Sequence, residues 1–406
     1  MELDLAGQRR IAEYFNNIGH ILGDDRRRAS FAIYAMGLLG DGDRKSMEPI
    51  AARMYPDLGQ VDAAHQRLQH FLVDSKWSDR LVRSAAARYV VNALSSRETI
   101  DTWIFDDTGF LKQGDHSVGV QRQYTGSAGK IANCQIGVSL SLATATEQVP
   151  IDFELYLPKS WTEDSKRREE ARIPKDVVFK TKVELALDLA RRAVADNVPK
   201  GIVLADAFYG DEPSFRAGIR SLGMHYAVGV KSDIRVWRTN KRGQLRGAPM
   251  KAKELATSLG PKRFRRVTWR EGVKEPLHAR FATCRVVPAY RSKTGDPEQR
   301  ESVWLVIEWP DAEAEPSNYY FATVPPRWSK KHLIRVIKER WKTERVYEDL
   351  KGELGFDHFE GRRFPGWHHH VSVALSCYAF IVAERVRRFS PSAGGPEGDG
   401  SLTIAA

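Results

Sequence analysis

The sequence predicts an α/β fold: a mixed sheet flanked by helices, preceded by a helical domain and interrupted by a β-rich insertion. Three observations carry this. Up to about Leu94 apolar residues recur three and four apart, as on one helix face; from Thr102 they alternate with polar ones in successive runs; after Thr181 helical and strand patterns take turns. With 406 residues, 42% of them hydrophobic, the chain can bury a large core and build two or three domains.

In the first 95 residues the helical spacing shows in Phe31, Tyr34 and Leu38 and again in Leu68, Phe71 and Leu72, with breaks at Gly40, Gly42, Pro56 and Gly59. Ser46 can cap a helix running to Pro56, and DAAHQRLQHFLVD resumes a helix after a short turn. The pair has the spacing of a helix-turn-helix, with Gln66, Arg67, Gln69 and His70 as candidate groove-facing side chains, although such pairs also occur in helical domains that never touch DNA.

Beyond Ser95 the runs TWIFDD, HSVGVQRQY, NCQIGVSLSL and VPIDFELYL read as strands, followed by a charged stretch from Lys159 to Lys180. A helix over Thr181 to Asp196, a buried strand GIVLADA, a helix from about Pro213 to Leu222 and a strand HYAVGV complete a sheet covered by helices. Lys231 to Tyr319 is rich in Arg and Lys, with strand-like RFATCRVVPAY and SVWLVIEW around the polar loop RSKTGDPEQ, and reads as an inserted β subdomain. Helical periodicity returns from Lys330 to Arg387, interrupted near Gly352 to Gly366, and the Gly-, Ser- and Pro-rich end reads as a disordered tail. The predicted divisions are a helical DNA-binding domain over 1–95, a sheet over 96–230, the insertion over 231–325, a helical segment over 326–390 and the tail over 391–406.

Lys and Arg number 63 against 52 Asp and Glu, a net charge of +11, which favours a polyanionic partner such as nucleic acid. Cys134, Cys284 and Cys377 lie far apart, with no C-x-x-C pair, which suits a reducing cytoplasm. No apolar signal region opens the chain, and VSVALSCYAFIVAERV is too short to span a bilayer, so no membrane association is expected.

Three acidic positions stand out. Asp106 and Asp107 close the apolar run WIF, where one of them would project at a sheet edge, although Asp-Asp-Thr-Gly also suits an ordinary turn. Asp206 follows an apolar run that belongs at the sheet centre, so it either faces the crevice at the strand ends or caps the next helix. In LIRVIKERWKTERVYEDLKGEL, Arg340, Glu344, Tyr347 and Lys351 share one face within roughly 60°, beside an apolar stripe of Val336, Val346, Leu350 and Leu354. That polar face could equally be a solvated one laced by ion pairs. Taken together, two strand-borne aspartates and a helix-borne glutamate are hard oxygen donors suited to Mg²⁺, and phosphodiester cleavage uses such ions to activate water and stabilise the leaving oxygen. Arg340 and Lys351 would then meet phosphates, with Lys112 and Arg122 as further candidates.

The R-x3-E-x6-K spacing of Arg340, Glu344 and Lys351 resembles the glutamate motif of bacterial insertion-sequence DDE transposases, Y-x2-R-x3-E-x6-K, with Ile337 where the tyrosine would stand. DDTGF resembles that family's first aspartate motif, D-x-T, and so points to Asp106; LADAFYG resembles the second, with Asp206, Tyr209 and Gly210. The resemblance extends to GLLGDGDRKSMEPIA and GWHHHVSVAL. It implies an RNase H-like catalytic core in two parts, 96–230 and 326–390, split by a β insertion between second aspartate and glutamate, which here lie 138 residues apart. It also implies a Mg²⁺-dependent enzyme, with Mn²⁺ able to substitute, that binds terminal inverted repeats, cuts by metal-activated water and joins 3′-OH ends to target DNA. Asp106, Asp206 and Glu344 would hold the metal, double-stranded DNA would be the partner, a homodimer would pair the two ends, and the setting would be the bacterial cytoplasm at the nucleoid.

His368, His369 and His370 point in different directions on a helix and cannot share one zinc ion, so a surface or DNA-facing place is expected. No Walker spacing is present. Trp237, Phe264 and Trp269 among basic residues suggest DNA contact by the insertion. The alternatives are a catalytically silent DNA-binding regulator derived from a transposase, which predicts a lost carboxylate, and a metal-free carboxylate-pair hydrolase, which the +11 charge disfavours.

Overall fold

Short polar side chains set the starts of most N-terminal helices. Asp4, Asp24, Asp57 and Ser78 accept backbone N–H bonds in the first turns of α1 (Leu5–Leu22), α2 (Asp25–Leu39), α4 (Leu58–Gln69) and α5 (Asp79–Ser95), each cap stabilising by about 1 kcal/mol. Ser46 precedes α3 (Met47–Met54) in extended conformation but makes no side-chain cap bond. This computed structural model describes residues 4–55, 57–240, 242–270, 276–289, 300–324 and 328–388; Pro56, the loop 291–299 and the tail 391–406 lie outside them.

The alternating runs fold as β1 (Thr102–Leu111), β2 (Gln121–Thr125), β3 (Lys130–Ala143) and β4 (Gln148–Tyr156). HSVGV, read as part of a strand, is instead a turn, and only QRQYT pairs. The charged stretch forms two short helices, α6 (Lys159–Thr162) and α7 (Ser165–Glu170). Then come α8 (Lys182–Ala195), started by a Thr181/Glu184 capping box, β5 (Ile202–Ala205), α9 (Ala207–Gly210), α10 (Pro213–Ser221) and β6 (Tyr226–Val230).

Strand β3 runs antiparallel to β1 and β4, while β5 and β6 run parallel to β1, in the order β4-β3-β1-β5-β6. In strand order and direction this is the RNase H-like arrangement expected. The parallel joins need crossovers, which α8 and α10 supply.

The insertion comprises β7 (Arg235–Thr239), β8 (Leu245–Lys251), α11 (Ala252–Leu259), β9 (Arg265–Arg270), β10 (Leu277–Pro288), β11 (Val303–Trp309) and β12 (Asn318–Ala322). Its strands continue the same sheet: β12 pairs with β6, and the order runs on through β11, β10, β7 and β8.

After it, α12 (Lys330–Lys338), a 3₁₀ turn over Glu339–Trp341 and α13 (Lys342–Leu354) lead to α14 (Phe364–Arg388). A larger core binds the N-terminal helices and α14 to one face of the sheet, and a smaller one packs α12 on Ile104, Leu204, Ala227 and Val306. Apolar on nearly every side, α14 is buried between α5, α2 and β4. Among the described residues no helix is long and apolar enough to cross a membrane.

Candidate active site

Strand β1 keeps its antiparallel partner β3 for its whole length, but β5 accompanies it in parallel only from Thr102 to Ile104. The crevice opens where β5 stops. Asp106 and Asp206 each stand two residues beyond the last parallel pair, Ile104 with Leu204, and so meet where the carboxyl end of β5 leaves the sheet. Asp106 is thus inside β1 rather than at its end, because β3 holds the ladder past the position where the apolar run gives out.

Strand alternation separates the two adjacent aspartates. Asp106 shares the face of Ile104, which packs with α12, and its Oδ2 lies 3.1 Å from Arg340 Nη1. Asp107 shares the face of Phe105 and meets Lys182 Nζ at 3.1 Å and the Tyr209 hydroxyl at 3.4 Å. Burial raises the Asp106 carboxyl to about 7, opposed by Arg340 and reinforced by Asp206 and Asp107. Burial also raises Asp107, against the pull of Lys182.

Asp206 caps α9: its Oδ1 accepts from Phe208 N at 3.0 Å and Tyr209 N at 3.4 Å. Its other oxygen has no hydrogen-bond partner, and the side chain no cation, among the described residues. Gly210 is required by close approach, since a Cβ there would collide with the Gly229 carbonyl of β6.

The expected single helix carrying Glu344 is broken by the 3₁₀ turn, with Lys342 held by Glu339 at 2.6 Å and the Ala145 carbonyl at 2.8 Å. Its polar face nevertheless follows β1. Arg340 meets Asp106; the Tyr347 hydroxyl lies 2.6 Å from Ser139 Oγ, whose residue is the cross-strand partner of Asp106; Lys351 Nζ donates to Thr108 Oγ1 and the Gly109 carbonyl at 2.8 Å and to Ser127 Oγ at 2.9 Å. Glu344, between Arg340 and Tyr347, is exposed and has no ion pair or hydrogen bond among the described residues. Val346, Leu350 and Leu354 are buried as expected, and Ile337 packs with Ile104 in the smaller core.

Hard carboxylate oxygens crowded where burial resists their charge form a donor set that a divalent cation relieves, and in that chemistry Asp106 and Asp206 fit one. The side chains are not closed around an ion: among the described residues no three His, Cys, Asp or Glu groups converge to hold one.

Of the remaining sequence candidates, Gln66, Arg67, Gln69 and His70 are exposed on or beside α4, and Arg122 is exposed on β2. Lys112 is turned inward, donating to the Phe359 carbonyl at 2.6 Å. His368, His369 and His370 are buried, contrary to the surface place expected, because α14 is enclosed all round and diverging side chains all meet protein. Of the insertion aromatics, Trp237 and Trp269 are half-buried and Phe264 is buried. Phe264 is buried against Trp309, and Trp269 packs on Phe281, which leaves Trp341 as the exposed tryptophan. Sequence reasoning missed Lys182; the one available signal was Thr181 as a cap, which places Lys182 in the first turn of α8.

A family model described as DDE superfamily endonuclease matches residues 17–276, and one described as transposase DDE domain matches residues 179–380. The probable transposase for insertion sequence element IS701 of Microchaete diplosiphon is 27% identical over 224 residues, which cover 55% of this chain and about half, 54%, of that protein. A solved piggyBac transposase synaptic complex with hairpin DNA aligns at 10% identity over 89% of this chain and 66% of that one, with a TM-score of 0.44.

Proposed function

This chain belongs to the DDE superfamily of endonucleases, and from that premise we propose that it is a DNA transposase of a bacterial insertion sequence, acting at the nucleoid. It binds the terminal inverted repeats of its element, cuts there, and joins the 3′-OH ends to target DNA. The observation that supports this most is the placement of Asp106 and Asp206 beside the end of β5, with Arg340 and Lys351, which flank Glu344 in the chain, tied to β1.

Asp106, Asp206 and Glu344 would hold the divalent ion, Mg²⁺ with Mn²⁺ able to replace it. Bound there, it supplies charge neutralisation and activation of the attacking water. Glu344, exposed and uncommitted, is free to turn toward the aspartates. Arg340 balances Asp106 in the free protein and can present its planar fork to a phosphate when DNA arrives. Lys351 acts first as a clamp that fixes α13 on β1, with a phosphate contact following from its place at the crevice rim. Arg122 contributes charge from β2, and Lys112 a more distant tie through the Phe359 carbonyl.

The helical segment 1–95 would carry DNA recognition, with Gln66, Arg67 and Gln69 of α4 presented to the major groove. The catalytic unit is divided between 96–230 and 326–390, with 231–325 as its insertion. Two element ends must be brought together, so a homodimer on double-stranded DNA is the simplest assembly.

The test is cleavage of labelled DNA carrying the element's ends, with Mg²⁺ and with EDTA, by the native chain and by Glu344→Ala. Metal-dependent cutting that disappears in Glu344→Ala while DNA binding persists is the expected result. Native protein that binds those ends and never cuts them would establish the silent-regulator reading instead.

A further inference from the structure

Asp206 is presented by a helix too short to hold its own shape. α9 is a single turn, Ala207–Gly210, and the first turn of a helix fixes more dihedral angles than its one hydrogen bond repays. Its place is therefore set from outside. Packing fixes its far end, where Gly210 closes on the Gly229 carbonyl of β6 and Arg216 donates to the Gly210 carbonyl. The Tyr209 ring is fully buried, 5.5 Å from Phe215, and its hydroxyl reaches back to β1, donating to Asp107 Oδ2 at 3.4 Å.

Asp107 thereby touches both aspartates of the crevice. Its backbone N–H donates to Asp106 Oδ1 at 2.9 Å. Through Tyr209 its side chain holds the turn whose N–H groups, at Phe208 and Tyr209, bind Asp206 Oδ1. Its own charge is taken up by Lys182 Nζ at 3.1 Å, with the Asp107 side chain 22% and the Lys182 side chain 17% exposed. Strand alternation turns Asp107 to the face of Phe105, away from the face on which Arg340 meets Asp106. A carboxylate tied there to an ammonium and a hydroxyl is badly placed to join Asp106 as a donor and well placed to fix Asp206. Metal-binding groups are oriented by hydrogen-bond partners of this kind, and removing one costs about 10–100-fold in metal affinity or activity.

We propose that Asp107 is a positioning residue: neutralised by Lys182, it fixes α9 through the Tyr209 hydroxyl and so sets where Asp206 offers the oxygen that α9 leaves unbonded. This rests on the reading of Asp206 as a metal ligand.

Hydrogen exchange of the segment Asp206–Asp211, in EDTA and without DNA, tests the hold itself. Asp107→Ala and Tyr209→Phe should each speed exchange there by about tenfold and leave α5 unchanged. Both act through one contact, so the double variant should exchange no faster than Asp107→Ala alone. Asp107→Asn, which keeps an acceptor facing the hydroxyl, should recover most of the native protection. Native-like exchange in Asp107→Ala and Tyr209→Phe, or effects that multiply in the double variant, would overturn the proposal.

Single-turnover cutting of end DNA across a Mg²⁺ titration reads the consequence. The hydroxyl contact is long, so the half-saturating Mg²⁺ concentration should rise by about tenfold in Asp107→Ala and in Tyr209→Phe, the low end of the range for such partners. A general loss of folded protein would lower the amount cut without moving that midpoint. Asp107→Asn that loses cutting as completely as Asp206→Asn would make Asp107 a ligand and overturn the proposal. Native protein that never cuts, while its variants show the exchange differences, would sink the transposase reading and leave the hold of Asp107 on α9 standing.

Discussion

Two buried clusters of charge differ in how their acids are answered. Behind the sheet, where α5, α8, β4 and α14 meet, Arg83 lies 2.7 Å from both Asp79 and Asp152, Arg192 reaches Asp152 and Glu154 at 2.9 Å, and His368 sits between Asp79 at 3.7 Å and Glu154 at 3.6 Å. Every carboxylate there has a guanidinium. In the crevice Asp106 has one contact with Arg340, Asp107 one with Lys182, and Asp206 has no cation among the described residues. Asp79 of the first and Asp106 of the second are shifted in opposite directions. Burial alone would raise Asp79, but Arg83 and His368 hold it well below the usual carboxylate range, whereas burial wins at Asp106 and lifts it to about 7. A balanced cluster binds elements together; a cluster left short of positive charge is fitted to take up a cation.

The largest expected effect separates the two on activity. Asp206→Asn keeps a side chain able to cap α9 but removes a donor, and should lower DNA cleavage by about a thousandfold or more with little change in urea unfolding. Loss of fold in that variant would mean that the crevice, too, is structural cement.

Asp152→Ala should do the reverse. It takes one of two carboxylates from buried Arg83 and from half-buried Arg192 and should cost about 1.5–3 kcal/mol of stability in urea titrations, with cleavage by the remaining folded protein near normal. A change under 1 kcal/mol would show that the balanced cluster contributes no more than surface pairs do.

Acid should strike the face behind the sheet. His370 is buried, with Tyr34 at 2.9 Å and the Phe356 carbonyl at 3.0 Å, and burial lowers it from 6.5 to about 4. The unfolded chain therefore binds the extra proton first. The contribution is intact above pH 6.5 and is lost as pH falls through the window down to about 4, by roughly 3 kcal/mol. Urea midpoints at pH 7 and 4.5 for the native chain and His370→Gln check this: the acid-induced drop should be smaller in the variant, and an identical drop would assign it to other groups.

The smallest effect is on metal linkage. Mg²⁺ at ten times its dissociation constant should raise stability by about 1.4 kcal/mol in the native chain and by less in Asp206→Asn, read as a shift of thermal midpoint. A shift of equal size in both would place the ion elsewhere.

Much of the site was legible because its signals are local. GIVLA has no place but a central strand, so Asp206 had to emerge at a strand end, and the spacing of Arg340, Glu344 and Lys351 put them on one face before any fold was known. The α/β class followed from the same periodicities. What escaped depended on partners distant in the chain. Lys182 and Asp107 are 75 residues apart, and nothing in either run announces the other. The three histidines were misplaced because adjacent side chains on a helix diverge, and only the packing around α14 determines that every direction leads inward.

The sequence by itself determined the kinds and order of the elements and the donor chemistry of the acids, since periodicity and residue type act over a few residues. The tertiary structure decided which of two neighbouring aspartates looks toward the glutamate helix. Alternation puts Asp106 and Asp107 on opposite faces in any strand, but which face receives α12 and α13 depends on packing against residues such as Arg340, 234 positions away. It also decided which carboxylates are answered by cations, because burial and ion pairing arise only once distant segments share one low-dielectric place.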